Sequence, residues 1–516
     1  LTKSQSLKRF RQKAKLMKRI LCTALLLLLC AFAQPQVSLA KPNVLLIVSE
    51  DNGPELGCYG DEFARTPHLD RLAAEGVRFH NAFVPYSVCS PSRACFLTGT
   101  YAHQNGQIGL ATHKFALYHE QTPNIVTLLQ PAGYAAGLIG KLHINPESAF
   151  PFDFRAIPGA NFNRNIPVDQ YVDAARRFWK QADGKPWFLS LNFPDAHLPF
   201  LRQADGRPRQ PQTGDDVEML PWIGADSPRL REIMADYYNC MSRLDDWVGL
   251  LLAALDETGA ADNTLVLYIG DHGAQFPRGK GSVYEGGLRV PLIVGWPGHA
   301  KAGVVCDELV STIDILPTVL RAAGVDSTEQ LPGYELQPLL SGNSADRRRQ
   351  YIFAMTTGSF PRNCFIQQSV RDTRYKLISS PRPGTRNLIA DSYLDPQHQH
   401  FVFSGVLPQE RAEVSETVEA TYRRWEQPPR YELYDLENDP YEWHNLAEDA
   451  QHAETKQRLI AALTSFQEDT RDPFLDPANV EAFVTEQLNN RDLAYRTNKS
   501  FRWSYLDGFR RWRENR

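Results

Sequence analysis

The chain has 516 residues, 42% of them hydrophobic and 22% charged, with a formal net charge of -4. That length is ample for one large domain plus a smaller one. The mild acidity argues against a nucleic-acid-binding or strongly membrane-seeking surface, so a polyanionic substrate must be met by a local basic pocket.

Residues 1–40 have the three parts of an export signal. Lys13, Lys15, Lys18 and Arg19 are basic, Leu21 to Ala33 is apolar, and Ser38-Leu39-Ala40 supplies small residues for cleavage. The apolar run is short of the roughly 20 residues of a spanning helix. The expectation is therefore a cleaved signal with its start at Met17, no stable membrane anchor, and a periplasmic or secreted protein. Of eight cysteines, Cys22 and Cys30 fall in the signal. The other six, Cys58, Cys89, Cys95, Cys240, Cys306 and Cys364, show no CxxC pair and no zinc spacing. Export permits disulfides, but the spacing pairs none.

Asn43–Ser49 (NVLLIVS) is a continuous apolar run, the pattern of a strand buried on both faces. Thr66–Phe79 has helical periodicity, with Pro67 near its start and Gly76 at its stop. Gly133–Gly140, Pro186–Phe193 and Asn263–Gly270 repeat the strand pattern, and helices are predicted around Val168–Ala182, Leu230–Thr258 and Ile313–Ala323. This alternation predicts an α/β fold with a large, mostly parallel sheet covered on both faces. Polar Gly342–Gln350 marks a boundary, giving a catalytic domain over 41–345. A smaller α+β domain follows over 346–480, with strand-like pieces at 351–356 and 369–379 and a helix near Ala453–Asp469. A basic, aromatic tail, 481–516, is expected to dock on the domain surface.

The strand ends carry the chemistry. The first strand runs into Glu50 and Asp51, the second into Lys141 and His143, the third into Asp195 and His197, and the fourth into Asp271 and His272. Each alone reads equally well as a turn residue or helix cap. Together they matter, because open parallel sheets bind ligands beyond the carboxyl ends of their strands. Glu50, Asp51 and Asp271 offer only oxygens, which suits a hard cation such as calcium or magnesium. His272 either joins that shell or sits beside it, and a purely structural calcium site is the alternative.

Cys89 precedes Ser90-Pro91-Ser92-Arg93 and a helical stretch ending at Gly99. Ser90 is a predicted cap, with Pro91 at the first helical position. Taken at face value Cys89 is a thiolate nucleophile at a helix N-terminus. A thiolate is a poor match for a hard cation, and an oxygen nucleophile would fit better.

The C-x-P-x-R pentapeptide at Cys89–Arg93, followed by LTGTYAHQNG, resembles the signature of the type I, formylglycine-dependent sulfatases. The similarity extends over about 41–476, including YELYDLENDPYEWHNLA in the C-terminal part. It implies an alkaline-phosphatase-like α/β sandwich, and conversion of Cys89 to formylglycine by a formylglycine-generating enzyme. It also implies one calcium ion held by Glu50, Asp51, Asp271, His272 and the converted Cys89. The implied catalytic residues are Cys89, Arg93, Lys141, His143, His197 and Lys280. Arg93 orients the formylglycine hydrate. Lys141 contacts it or the sulfate, and His143 takes its proton as sulfate leaves. His197 and Lys280 clamp sulfate oxygens, one of them protonating the leaving group. Arg278 and His103 stay open between function and packing.

AHQNGQIGL, LIGKLHINPESAFPFDF, FPRGK and DTRDPF are similar to the N-sulfoglucosamine sulfohydrolase branch of that family, implying a sulfated saccharide substrate and the N-sulfate of glucosamine as its scissile group. Glu50 in place of aspartate, His272 in place of asparagine and the loop YEGGLRVP depart from that branch. An O-sulfatase acting on algal or host polysaccharide therefore stays open. So do a phosphonate or phosphate ester hydrolase of the same superfamily, a secreted glycan-binding protein with an inactive site, and a homodimeric state.

Overall fold

Asn43–Ser49 (β1) is buried along its whole length, as its unbroken apolar run requires. Its side chains alternate between two cores, since successive residues of a strand face opposite ways. Leu45 and Ile47 join one core, and Val44, Leu46 and Val48 the other. The computed structural model describes residues 41–159, 166–326, 330–342, 349–398 and 401–516. The expected signal (1–40) and the expected boundary at 345/346 lie outside them.

Seven further strands complete the large sheet: Val77–Phe83 (β2), Ala135–Ile139 (β3), Phe154–Ala156 (β4), Trp187–Asn192 (β5), Thr264–Gly270 (β6), Leu292–Gly295 (β7) and Val304–Ser311 (β8). Their order is β4-β3-β5-β1-β6-β7-β2-β8. All neighbours are parallel except β7, which runs antiparallel to both β6 and β2. β1 lies between β5 and β6, in register Leu45↔Leu189 and Leu45↔Val266. The ends of β1, β5 and β6 therefore open at one level of the sheet.

One face is covered by Pro67–Glu75 (α1), Val168–Ala182 (α3) and Pro228–Glu257 (α4), through Leu69, Leu72, Tyr171, Phe178, Leu244 and Trp247. The other is covered by Cys89–Thr98 (α2) and Ile315–Ala323 (α5), through Ala94, Leu97, Val319 and Leu320. The helical pattern around α1 stops at Glu75. Val77–Phe83 is not its continuation but β2, whose first four residues alternate buried and half-buried.

A second, antiparallel sheet is formed by Ile352–Thr356 (β9), Gln367–Arg371 (β10), Tyr375–Ser379 (β11) and Tyr431–Asp435 (β12), in the order β12-β11-β10-β9. Val370, Leu377 and Leu433 pack against Leu459 and Leu463 of Ala453–Asp469 (α6). The tail does more than lie on the surface. Tyr495, Trp503, Tyr505, Leu506 and Phe509 are buried in one cluster with Tyr86, Ile108 and Phe115. Trp503 Nε1 donates to the His113 carbonyl at 2.9 Å, which ties the tail to the segment following α2. Among the described residues no disulfide joins the cysteines, and no helix is long and apolar enough to cross a membrane.

Candidate active site

Four strand ends deliver their polar residues to one buried place. Asp51, at the end of β1, is 0% exposed and has φ 50. Its backbone N–H donates to Asp271 Oδ1 at 3.0 Å. Asp271 follows β6, and its own N–H donates to the Ser49 carbonyl at 3.0 Å. The parallel β1–β6 pairing thus sets the two carboxylates side by side. His272 comes with them: its Nδ1 lies 2.9 Å from the Gly273 carbonyl, and its Nε2 lies 3.2 Å from Asp51 Oδ1.

Cys89 is the first residue of α2. The N-cap is Val88, and no side chain caps the helix. Ser90 is therefore not the cap that its type suggests; its hydroxyl accepts the Ala111 N–H instead, at 2.9 Å. The helix start aims Cys89 Sγ at the carboxylates, 3.3 Å from His272 Nε2 and 3.8 Å from Asp51 Oδ1. Ligand atoms of Asp51, Cys89, Asp271 and His272 all lie within 4.8 Å of one another, and all four residues are buried. Two carboxylates and an imidazole in a dry pocket are a donor set that fits one divalent cation.

Glu50, expected in the same shell, belongs to a second group that could hold a metal ion and shares Asp51 with the first. Its carboxylate accepts from Lys141 Nζ at 2.8 Å and Arg93 Nη2 at 3.3 Å, and it groups with Asp51 and His197 rather than with Cys89.

Arg93, one helical turn after Cys89, is 1% exposed and fully engaged. Nε donates to Asp271 Oδ2 at 3.1 Å, and Nη1 to Asn192 Oδ1 at 2.7 Å and the Lys141 carbonyl at 3.1 Å. Lys141 follows Gly140, whose φ of +88 and close approach leave no room for a side chain: an added Cβ would lie 2.3 Å from the Asn192 carbonyl. Lys280 Nζ donates to Asp51 Oδ2 at 2.6 Å and Gln275 Oε1 at 3.1 Å. His197 Nδ1 lies 2.8 Å from the Leu198 carbonyl. His143, with φ 61, is half-buried, and both of its ring nitrogens are buried without a hydrogen-bond partner among the described residues.

These neighbours set the charge states. Burial pushes the Asp51 carboxyl up, but Lys280, His197 and His272 outweigh it and hold it well below the usual carboxylate range. Burial likewise opposes ionisation of Asp271, and His272 and Arg93 prevail. Burial pulls His272 down, yet Asp271 and Asp51 raise it to about 10, so a cation bound here would have to displace its proton. His143 goes the other way: burial, then Lys141 and Arg93, push it well below the ordinary imidazole value and keep it neutral. The pocket thus combines ionised carboxylates, a wall of cations and one uncharged imidazole.

Three further polar groups have partners of their own. Asp195, at the end of β5, pairs with Arg243 at 2.7 Å. Arg278, one of the two left open, donates to the Trp222, Tyr441 and Glu442 carbonyls and lies over the Tyr284 and Trp443 rings. His103, the other, contacts Thr470 Oγ1 at 2.9 Å and stacks on Tyr101. Sequence reasoning missed Asn192, Gln275 and Tyr393, whose hydroxyl donates to the Lys280 carbonyl at 3.1 Å. Asn192 alone carried a signal, as a polar residue inside the otherwise apolar run FLSLNF.

The chain matches the sulfatase family over residues 42–325 and the C-terminal region of N-sulphoglucosamine sulphohydrolase over 270–422. It is 31% identical over 498 residues to the N-sulphoglucosamine sulphohydrolase of Homo sapiens, covering 88% of this chain and 94% of that protein. It is 29% identical over 437 residues to an ulvan-active sulfatase of Formosa agariphila, covering 83% and 80%. Among solved structures, BT1596, a 2-O GAG sulfatase, superposes with a TM-score of 0.64 at 21% identity, covering 85% of this chain and 96% of that one. A phosphonate monoester hydrolase of Agrobacterium radiobacter does so with 0.60 at 22% identity, covering 83% and 96%. The two sheets and their neighbours make the fold alkaline-phosphatase-like. On the match across both parts of the chain, the protein belongs to the sulfatase family of sulfuric ester hydrolases.

Proposed function

We propose that the protein removes sulfate from a sulfated saccharide, with the N-sulfate of glucosamine as its scissile group, using one calcium ion and formylglycine formed from Cys89. The observation that carries this reading is the gathering of Asp51, Asp271, His272 and residue 89 within 4.8 Å of one another. The saccharide assignment is supported by the likeness to N-sulphoglucosamine sulphohydrolase over nearly the whole of both chains.

Bound in the pocket, the cation would be held by Asp51, Asp271, His272 and residue 89; it supplies Lewis acidity, and formylglycine supplies a hydrated aldehyde as nucleophile and release path. The chain's own residues do the rest. Arg93, fixed by Asp271, Glu50 and Asn192, orients residue 89. Lys141, Lys280 and His197 bind the sulfate oxygens and offset the charge that grows on them, a preorganised contribution that needs no rearrangement. His197, with Nδ1 on the Leu198 carbonyl, has Nε2 for delivering a proton to the departing nitrogen or oxygen. His143, neutral and without a hydrogen-bond partner among the described residues, accepts the proton released at residue 89.

Maturation needs a formylglycine-generating enzyme, and the protein acts in the periplasm or outside the cell. Mass spectrometry of the peptide containing residue 89, followed by assays on N-sulfated and O-sulfated saccharides and on aryl sulfate against aryl phosphate, tests the reading. Conversion with release of sulfate from N-sulfated glucosamine is expected. Preference for aryl phosphate, or an unconverted cysteine in active enzyme, would overturn it.

A further inference from the structure

A groove of about 830 Å³ lies beside the loop that carries Lys280, and none of the cation-binding cluster lines it. Its size falls within the range of small-ligand sites, about 300–1,000 Å³. Trp222 forms one wall, packed against the backbone of Gly286. Tyr441, 38% exposed, stands at another.

Several of its charges are already matched. Glu285 pairs with Arg371 at 2.6 Å and Lys376 at 3.1 Å, Glu442 with Lys376 at 2.9 Å, and Arg374 with Asp435 at 2.7 Å. Arg289 differs. Its Nε and Nη2 donate to the His80 carbonyl at 3.1 and 2.9 Å, and among the described residues it makes no ion pair. Burial, opposed by Glu285, lowers its affinity for a proton, so this guanidinium gains from any anion that reaches it. Glu55, 7% exposed and also lining the groove, accepts the Tyr237 hydroxyl at 2.7 Å, its one side-chain donor among the described residues. Burial raises its carboxyl to about 7, so it can exchange hydrogen bonds with hydroxyl groups.

Aromatic faces, acids that accept from hydroxyls and one guanidinium without a carboxylate form a distinct combination. It suits a sugar ring bearing a single sulfate or carboxylate, since an arginine fork takes such a group in bidentate fashion. We propose that this groove is a second saccharide site, which holds an anionic sugar of the same chain that is being desulfated. It rests on the sulfated-saccharide reading above.

The test compares a heparin-derived decasaccharide with an N-sulfated disaccharide as substrates for wild type, Tyr441→Ala and Arg289→Gln. Loss of one charge-assisted contact corresponds to roughly a tenfold effect. The expected result is a KM on the decasaccharide raised about tenfold in either variant, with kcat/KM on the disaccharide unchanged. Equal KM values, or equal losses on both substrates, would overturn the second site. Tyr441 is half exposed, so its variant reports even where Arg289→Gln fails to fold. Should wild type cleave neither substrate, the sulfatase reading is at fault. The groove is then read by retardation of Cys89→Ala in decasaccharide-containing gels, with and without Tyr441→Ala. Retardation that the second substitution weakens supports the site, and unchanged retardation rejects it.

Discussion

Lys280 and Asp51, 229 residues apart in the chain, meet at 2.6 Å with side chains no more than 5% exposed. The contact joins the end of β1 to the glycine-rich loop after β6. It keeps Asp51 ionised while engaging only Oδ2, so Oδ1 stays turned toward His272 and Cys89.

Removing that cation should have two separable effects. Lys280→Met takes away a proposed sulfate contact, and losing one such preorganised group costs about 10²–10³ in kcat. It also leaves a buried carboxylate without its partner, a loss of about 3–5 kcal/mol in the metal-free protein. A bound divalent ion replaces the lost charge. The melting-temperature difference between wild type and variant is thus expected to be large in EDTA and small with excess calcium. An equal difference in both conditions would contradict this role.

Asn192 acts through Arg93. Its Oδ1 accepts from Arg93 Nη1, and its Nδ2 donates to the Ile139 carbonyl at 3.2 Å and Ser190 Oγ at 3.1 Å. It fixes the guanidinium from behind without touching residue 89. Asn192→Ala leaves a buried donor unsatisfied, worth about 1–3 kcal/mol. We expect kcat to fall about tenfold, the rate equivalent of about 1.4 kcal/mol, with KM for a sulfated disaccharide nearly unchanged. Steady-state kinetics distinguish this from general unfolding, which would reduce active enzyme but leave both parameters per active site intact.

The sheet and its cargo were legible because burial on both faces writes itself as an unbroken apolar run. β1 was bounded to the residue, and β3, β5 and β6 to within two. The polar pairs after those runs stood out by contrast. Val77–Phe83 was hidden by a helix that ends two residues before it, and Leu292–Gly295 by its shortness. Glu50 reads as a cation ligand because it adjoins Asp51, and the geometry adds what the sequence does not show, its contacts with Lys141 and Arg93. Asn192 stands out as a polar residue in a strand-like run, but its role rests on Arg93, 99 residues away, and Gln275 has no local pattern that marks it. The tail's basic, aromatic composition predicts docking on the domain, but nothing local names its partners at 86–118.

Trp503 anchors that tail. It is 0% exposed, donates to the His113 carbonyl and packs on Phe115 with ring centroids 5.1 Å apart. Both partners lie on the segment that follows α2, so the tail braces the helix that presents residue 89. Trp503→Ala should cost about 3–5 kcal/mol. Denaturant unfolding would show it as a lower midpoint. Trp503→Phe, which keeps the ring packing but loses the hydrogen bond, should recover most of that loss.

Asp472 gives the fold a pH dependence of its own. It is 0% exposed, and its carboxylate accepts from Gln368 Nε2 and the Phe474 N–H. Burial raises its pKa to about 6, only partly offset by those bonds and by Arg513. A carboxyl with a raised folded-state pKa favours the fold when protonated. Its contribution is therefore full below the unfolded value near 4 and declines as pH rises to about 6. Above that it stays flat. At 1.36 kcal/mol per pH unit the change is about 3 kcal/mol. Asp472→Asn has no proton to lose, so its unfolding free energy between pH 4 and 6 should fall less steeply than that of wild type by about this amount. Parallel slopes for the two proteins over that interval would show that Asp472 is already ionised in the fold.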